Sequence, residues 1–426
     1  MPADTPPARP GRAGEARLRL ATAAGDLAAW LSRLAGKGSG ASIRGQILTR
    51  LAPDALAQLL AGRRVLAVSG TNGKTTTTHL LAAAVRQDLG EAAVVTNADG
   101  ANLRYGIASA LSQDRRAPVA VLETDERVVS DMIALGRPEV LVFLNFSRDQ
   151  LDRHHEIKAL GRAWRLALEK AGEQGPVIVA NACDPLVVWS SATAARVVWV
   201  ETDTAWKADA ALCPACGSVL VQQRADSRDR WDCPGCELTQ PEAGYRVNGS
   251  EIQLPDGRLV TPELKVPGRF NISNAACALA AAVQFGVPAD IALAGMATVS
   301  APAGRFATAD IGGARARLLL AKNPAGWAEA LPLAASDPVV LAIDSVAADG
   351  KDVSWLWDVD YEQLQGRHVV ATGPRALDLA VRLGYAEVEH TIVPDLAAAV
   401  AGHPGTVDVI ATYTPFQKLL KMGGLR

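Results

Sequence analysis

Short apolar runs rich in Val, Leu and Ile recur along this chain at helix-length intervals, and they restrict its fold more than any other feature. The first series is VLAV at 65–68, AVVT at 93–96, VAVLE at 119–123, VLVFLN at 140–145 and VIVAN at 177–181. These runs show no polar alternation, so they predict strands buried on both faces, as in a parallel sheet covered by helices. A second series follows Gly304: ARLLLA at 316–321, VVLAID at 339–344, HVVATG at 368–373 and VDVIAT at 407–412. It predicts a second, separate α/β domain. A chain of 426 residues has room for two or three such cores.

Composition narrows the partners. A formal charge of −2 gives no global attraction to nucleic acid. No apolar run approaches the ~18 residues needed to span a bilayer. The opening MPADTPPARPGRAGEARLRL lacks the apolar core and cleavage site of a secretion signal, which implies the cytoplasm. A peripheral place at the inner face of the membrane is held open. Residues 1–14, rich in Pro, Gly, Ala and Arg, are expected to be disordered. In residues 15–36, Leu18, Leu20, Leu27, Trp30, Leu31 and Leu34 fall near helical spacing beside arginines. Packing onto the neighbouring domain is the first reading of that helix, and a membrane-surface role is the second.

The run at 65–68 leads into SGTNGK and then TTTTHLLAAAV, which has helical spacing. Strand, glycine turn and helix N-terminus together form a phosphate site, because backbone N–H groups and the helix dipole point at the anion. Lys74 would reach the outer phosphates, and the Thr75 hydroxyl would ligate Mg²⁺. The common loop pattern has glycine where this chain has Val68; here Gly70 precedes Gly73 by only three positions. A structural turn that merely contains GKT is the competing reading. Glu123 ends a core strand predicted in the same sheet, where a carboxylate facing the loop would hold Mg²⁺, an oxygen-seeking ion. Taken alone it would be an ordinary strand-end acid.

Between VIVAN and the second series lies a polar, turn-rich stretch, about 205–260, which reads as an insertion. It contains CPAC at 213–216 and CPGC at 233–236. Six cysteines in a reducing compartment point to metal ligation or packing before disulfides. Cys213, Cys216, Cys233 and Cys236 make two C-x₂-C knuckles that offer four thiolates to a closed, structural Zn²⁺ site. Two redox dithiols would be the alternative. Cys277, in the alanine-rich NAACALAAA, is expected to be a small core residue.

The shortened loop, Gly70-Thr71-Asn72-Gly73-Lys74-Thr75-Thr76, resembles that of the Mur ligase family, which joins amino acids to carboxylates through ATP-derived acyl phosphates. Further stretches resemble the family in order. VLETDE resembles a strand ending in a Mg²⁺-binding Glu, here Glu123. LNFSRDQLDRHHE resembles an Asn-x-x-x-Asp-x-x-Asp motif with Asn145, Asp149 and Asp152, although the two acids would also serve as helix caps. NACDP resembles a nucleotide-contacting turn, and VPGRFNISNAACA a Gly-x-x-Asn-x-x-Asn segment with Asn271 and Asn274. AGRF at 303–306 matches the hinge into the C-terminal domain.

The zinc knuckles single out one branch, the MurT-type subunits of lipid II isoglutaminyl synthases. GANLRYGI, Gln150, AKNPAGW and AADGKDVSWLWDVDYE are similar to that branch. The implied fold is α/β: a Mur-ligase-like central P-loop ATPase domain with an inserted Cys₄ zinc ribbon, plus a C-terminal Rossmann-like α/β domain. The implied boundaries are 1–60 for an N-terminal tail and helix, 61–303 for the central domain with the ribbon at about 205–245, and 304–426 for the C-terminal domain.

The implied activity is that of an ATP-dependent carbon–nitrogen ligase. It would amidate the α-carboxyl of D-glutamate in the stem peptide of lipid II, through an acyl phosphate. Gly70, Thr71, Asn72, Gly73, Lys74, Thr75, Thr76, Asn271, Lys322 and Asn323 would hold ATP; Thr75 and Glu123 would hold Mg²⁺. Lys74 and Glu123 would stabilise phosphoryl charge. Making ammonia from glutamine needs a Cys nucleophile activated by His. Four cysteines are assigned to zinc, and neither Cys183 nor Cys277 lies in a sharp glycine-flanked turn. A partner should therefore supply ammonia, and the resemblance names it as GatD, a glutamine amidotransferase-like subunit. Asp352, with Asp349 as alternate, would complete the partner's Cys–His pair. A turn-fixing role for both acids is the plainer reading. Two departures from the branch are Asp344 and Val346, where paired asparagines are expected, and Cys183 in place of an acid. A ligase that adds an amino acid, and a nucleotide-dependent scaffold without catalysis, are the competing functions.

Overall fold

The computed structural model describes the chain except residues 1–11, 35–39, 98–100, 148–156, 204–208, 210, 226–227, 267, 301–305, 347–348, 402, 404 and 426. Three helices come first: α1 (Arg12–Leu34), α2 (Ala41–Leu51) and α3 (Ala55–Leu60). The sequence predicted one helix here, and a disordered start as far as residue 14; helix α1 instead begins at Arg12. Its first turn contains Ala13, Gly14 and Glu15, and an acid there suits the positive end of the helix dipole.

A nine-stranded sheet follows, in the order β11-β10-β9-β6-β5-β4-β1-β3-β2. Its parallel strands are β1 (Arg64–Ser69), β2 (Val94–Thr96), β3 (Val119–Glu123), β4 (Val140–Phe143), β5 (Val177–Asn181) and β6 (Arg196–Glu201). The helices between them are α4 (Lys74–Leu89), α5 (Arg104–Gln113), the short α6 (Val129–Asp131), α7 (Ile157–Ala171) and α8 (Pro185–Ser191). After a hairpin of β7 (Val221–Ala225) and β8 (Arg228–Asp232), β9 (Tyr245–Asn248), β10 (Glu251–Gln253) and β11 (Leu259–Val260) extend the sheet. The insertion is thus shorter than the expected 205–260, because residues 245–260 belong to the main sheet. Alternation betrays it: Tyr245, Val247 and Ile252 are buried while their neighbours are wetter, as on a half-covered edge.

The absence of alternation in β1 has the predicted cause. Leu66 and Val68 face one core with α4, α9 (Phe270–Phe285) and α10 (Ala289–Met296). Val65 and Ala67 face another core, which includes Leu18 of α1, Leu48 of α2 and Trp164 of α7. Six of the sixteen residues of α9 are alanines, all fully buried, and their small side chains suit close packing on the sheet.

The second sheet has the order β12-β13-β17-β14-β15-β16. It comprises β12 (Phe306–Ile311), β13 (Ala314–Leu320), β14 (Val339–Ala342), β15 (Val369–Thr372), β16 (His390–Ile392) and β17 (Gly405–Ala411). Only β12 with β13 is antiparallel; the other pairs are parallel. Helices α11 (Pro324–Ala330), α12 (Ala376–Tyr385), α13 (Leu396–Ala401) and α14 (Tyr413–Met422) accompany it. Its two faces hold separate cores, one around Trp327 and Tyr361 and one around Phe416 and Leu419. This covering explains the apolar runs of the second series.

Candidate functional site

The site is built around the turn that joins β1 to α4. Val68 remains strand, fully buried and paired in register with Glu123, so no glycine is needed there. The chain turns only after Ser69. Gly70 has φ of 140° and Gly73 φ of 85°, both outside the range that L side chains adopt readily. A Cβ on Gly70 would stand 2.9 Å from the backbone nitrogen of Asn145, and one on Gly73 2.5 Å from Asn274 Oδ1. The unusual glycine spacing therefore reflects two close approaches, one at each end of a tight loop.

Asn145, just beyond β4, clamps this loop. Its carbonyl accepts from the Thr71 backbone N–H at 2.9 Å. Its side chain accepts from the Asn72 backbone N–H at 2.9 Å and donates to the Asn72 carbonyl at 3.1 Å. Ser147 adds a second clasp: its N–H donates to Thr71 Oγ1 at 3.0 Å, and its hydroxyl accepts from Asn72 Nδ2 at 3.0 Å. Lys74 curls over the loop, with Nζ 2.5 Å from the Gly70 carbonyl, 3.2 Å from that of Thr71 and 3.3 Å from Glu126 Oε1. Thr75 and Thr76 are buried at the start of α4.

Glu123 is 2% exposed, and its backbone is held from both sides by Asn97, which accepts from its N–H at 2.8 Å and donates to its carbonyl at 2.7 Å. Its Oε1 accepts from Asn102 Nδ2 at 3.0 Å, while the buried Oε2 has no hydrogen-bond partner. A buried carboxylate oxygen left without a donor beside a lysine-bearing loop fits a hard cation ligand.

The other motifs brace this centre. Asn181 donates to the Leu144 carbonyl at 2.9 Å and accepts from the Cys183 N–H at 2.9 Å. Asp184 caps α8 through Oδ1, and its Oδ2 accepts from the Phe146 N–H at 2.7 Å. Burial pushes its carboxyl up to about 6 despite three backbone donors. Asn274 donates to Asn271 Oδ1 at 2.9 Å, and both are buried against the loop side of α9. From the second sheet, Asn323 caps α11 by accepting from the Gly326 N–H at 2.9 Å, and its Nδ2 donates to Asn72 Oδ1 at 3.2 Å. Lys322, half-buried, precedes it. Asp149, Gln150 and Asp152 lie outside the described residues.

The structure brings the loop, Glu123, Asn271 and Asn323 to one place. It also adds residues that the sequence reading did not single out: Glu126 at Lys74, Asn97 and Asn102 at Glu123, and Ser147 at the loop. Glu126 lay inside the quoted VLETDE and Asn102 inside the quoted GANLRYGI, whereas nothing local marks Asn97, because its partner comes from another strand.

The four knuckle cysteines form a second centre, the one group of candidate metal ligands among the described residues. All four Sγ atoms lie within 4.8 Å of one another, with Cys213–Cys236 at 3.6 Å and Cys216–Cys233 at 3.4 Å. Four thiolates at the usual Zn–S distance would sit about 3.8 Å apart, so the set fits tetrahedral zinc. Trp231 packs beside Cys213 and Cys233, and its Nε1 donates to the Ala182 carbonyl at 3.1 Å. Cys183 and Cys277 stand apart from this cluster; Cys277 is fully buried, with its thiol pushed up to about 12.

Near the end of the second sheet the two candidate acids differ. Asp349 is 3% exposed, and its Oδ1 accepts from the Thr414 N–H at 2.7 Å at the start of α14. Asp352 is exposed and accepts from the Ser354 N–H at 2.8 Å, which holds its carboxyl below the usual range.

Comparison with known proteins extends these observations. Residues 68–282 match the family model for the Mur ligase middle domain, and residues 320–416 that for the MurT ligase C-terminal region. The MurT subunit of a glutamine-hydrolysing lipid II isoglutaminyl synthase from Staphylococcus aureus is 28% identical over 93% of this chain and 95% of its own. The Streptococcus pneumoniae MurT subunit is 29% identical over 83% of each chain. A pseudomurein peptide ligase type C from Methanothermus fervidus superposes with a TM-score of 0.65 at 16% identity, covering 89% of this chain and 84% of that one. That last likeness concerns the fold alone.

Proposed function

Because the chain belongs to the Mur ligase family, whose middle-domain match spans just over half of it, we propose that it is the synthetase subunit of a lipid II isoglutaminyl synthase. It would amidate the α-carboxyl of D-glutamate in the stem peptide of lipid II. A substrate carboxylate oxygen attacks the γ-phosphorus of ATP and ADP leaves. Ammonia then attacks the acyl carbon, phosphate departs, and the nitrogen sheds a proton to leave D-isoglutamine.

This chain's residues divide the work. The Gly70–Thr76 loop, with the α4 N-terminus, cradles the phosphates, and Lys74 leaves its loop carbonyls to meet charge developing on the γ-phosphoryl group. Glu123 and Thr75 would hold Mg²⁺, which would supply positive charge against the phosphates. Asn271 would contact the nucleotide from α9, and Lys322 and Asn323 from the second sheet. We read the chain as a central domain, 61–303, with a zinc ribbon at about 205–245, and a Rossmann-like C-terminal domain, 304–426, that meets the partner. That partner would be a GatD-type amidotransferase, with exposed Asp352 offered to its Cys–His pair; Asp349 is already engaged with α14.

What carries the reading is the coincidence, in one chain, of a Mur-type phosphate loop and a MurT-type C-terminal region. The test is amidation of lipid II by the purified chain with glutamine and the candidate amidotransferase. Ligation of an amino acid without that partner, and no amidation with it, would favour an amino-acid-adding ligase instead.

A further inference from the structure

Helix α1 has two apolar faces and packs one of them. Leu18, Ala21 and Ala29 are buried toward α2 and the first sheet. Leu20, Leu27, Trp30, Leu31 and Leu34 are all more than half exposed. The first reading of this helix, packing onto the neighbouring domain, holds for one face: of the residues it named, Leu18 alone is buried. At about 100° per residue, Leu20, Leu27, Leu31 and Leu34 fall within about 60° of one another, opposite the packed face. Exposed Ala16 and Ala23 continue the stripe without a polar break. The sequences on either side, MPADTPPARPG and AGKGSG, contain one large apolar residue, Met1.

The stripe has charged borders. By the same periodicity Arg19 and Arg33 lie along one edge and Arg17 along the other. Residues 1–60 contain eight Lys and Arg against four Asp and Glu, whereas the whole chain carries −2. Helix α1 itself carries four arginines against two acids; Glu15 and Asp26 share the Arg19–Arg33 edge, with Glu15 3.8 Å from Arg19, and the helix is net positive by two. Among the described residues no helix is long and apolar enough to cross a membrane. Leucine and tryptophan on one face with arginine at its margins is the composition of a helix lying in an anionic headgroup layer.

We propose that the outer face of α1 docks on an anionic membrane surface, and so keeps the site at the leaflet where a lipid-linked substrate would lie. The orientation argument rests on the proposed lipid II activity; the binding itself does not. The test is co-sedimentation of the full chain with vesicles of phosphatidylcholine, with and without phosphatidylglycerol. The chain is expected to bind the anionic vesicles. Leu27→Ser with Leu31→Ser should lower its partition coefficient about tenfold or more, at an unchanged melting temperature. Arg19→Gln with Arg33→Gln, or raised salt, should weaken anionic binding selectively.

Failure to bind anionic vesicles, or binding indifferent to the leucine pair, would overturn the proposal. So would a leucine variant that instead loses self-association or its amidotransferase, since the face would then be a protein interface. Amidation of detergent-dispersed lipid II should be equal in the leucine variant and the parent chain. If the parent chain lacks that activity, the proposed function fails, while the vesicle result still decides the surface.

Discussion

Asn323 Nδ2 donates to Asn72 Oδ1 at 3.2 Å, joining the cap of a helix on the second sheet to the β1–α4 loop of the first. The same side chain also caps α11 through its oxygen, so its two ends couple local helix structure to the distant loop.

Asn323→Asp keeps the capping oxygen and removes the donor to Asn72. It is expected to melt like the parent protein and to lose about 5–30-fold in kcat/KM for ATP, the worth of one or two good hydrogen bonds. Kinetics equal to the parent's would show that the contact has no part in turnover.

Lys74→Ala should reduce amidation at least about 100-fold, because one preorganised cationic donor is lost where charge develops. A nucleotide-dependent scaffold would tolerate that change. Asn102→Ala should raise the Mg²⁺ needed for half-maximal activity by about 10-fold or more, since Asn102 orients Glu123 from behind. An unchanged Mg²⁺ requirement would remove Glu123 from the proposed metal site.

The Cys₄ cluster should hold one zinc per chain, and less than about half an equivalent by elemental analysis would count against it. Stripping the metal with a chelator should expose Trp231, buried beside Cys213 and Cys233, and shift its emission to longer wavelength. Cys233→Ser should weaken the ribbon in the same way.

Asp352→Asn is expected to abolish glutamine-driven amidation while free ammonia still supports turnover. Equal loss with both nitrogen sources would sink the shared-triad assignment. Asp349→Asn should act through stability instead, because its carboxylate receives the Thr414 N–H in the interior.

Asp184 gives a pH signature. Its folded value, about 6, lies above the ordinary 3.8, so between these values the folded chain holds a proton that the unfolded chain releases. Its contribution to stability should therefore fall as pH rises from about 4 to 6 and level off above, a change of order 3 kcal/mol at most. Asp184→Asn keeps a capping oxygen on α8 and removes this slope. Urea unfolding at acid and neutral pH should show the parent protein gaining on the variant as pH falls; a constant difference would contradict the assignment.

The parts of this protein legible in sequence are those set by local backbone chemistry. Strands covered on both faces appear as unbroken apolar runs, the tight β1–α4 turn as glycines where φ must be positive, and the Cys₄ cluster as two cysteine pairs at fixed spacing. Tertiary structure decided the partners. Asn145 meets Asn72 from another strand, and Asn323 meets it across 251 residues of chain, so no short window contains either pair. The edge strands at 245–260 looked like insertion because they are short and half-wet. Periodicity drew all the leucines of α1 as one amphipathic set, yet docking on α2 consumed only one face. A run of residues specifies which conformations and surfaces exist; which surface is covered, and which polar atom answers another, follows from the register of strands and helices brought together from far apart.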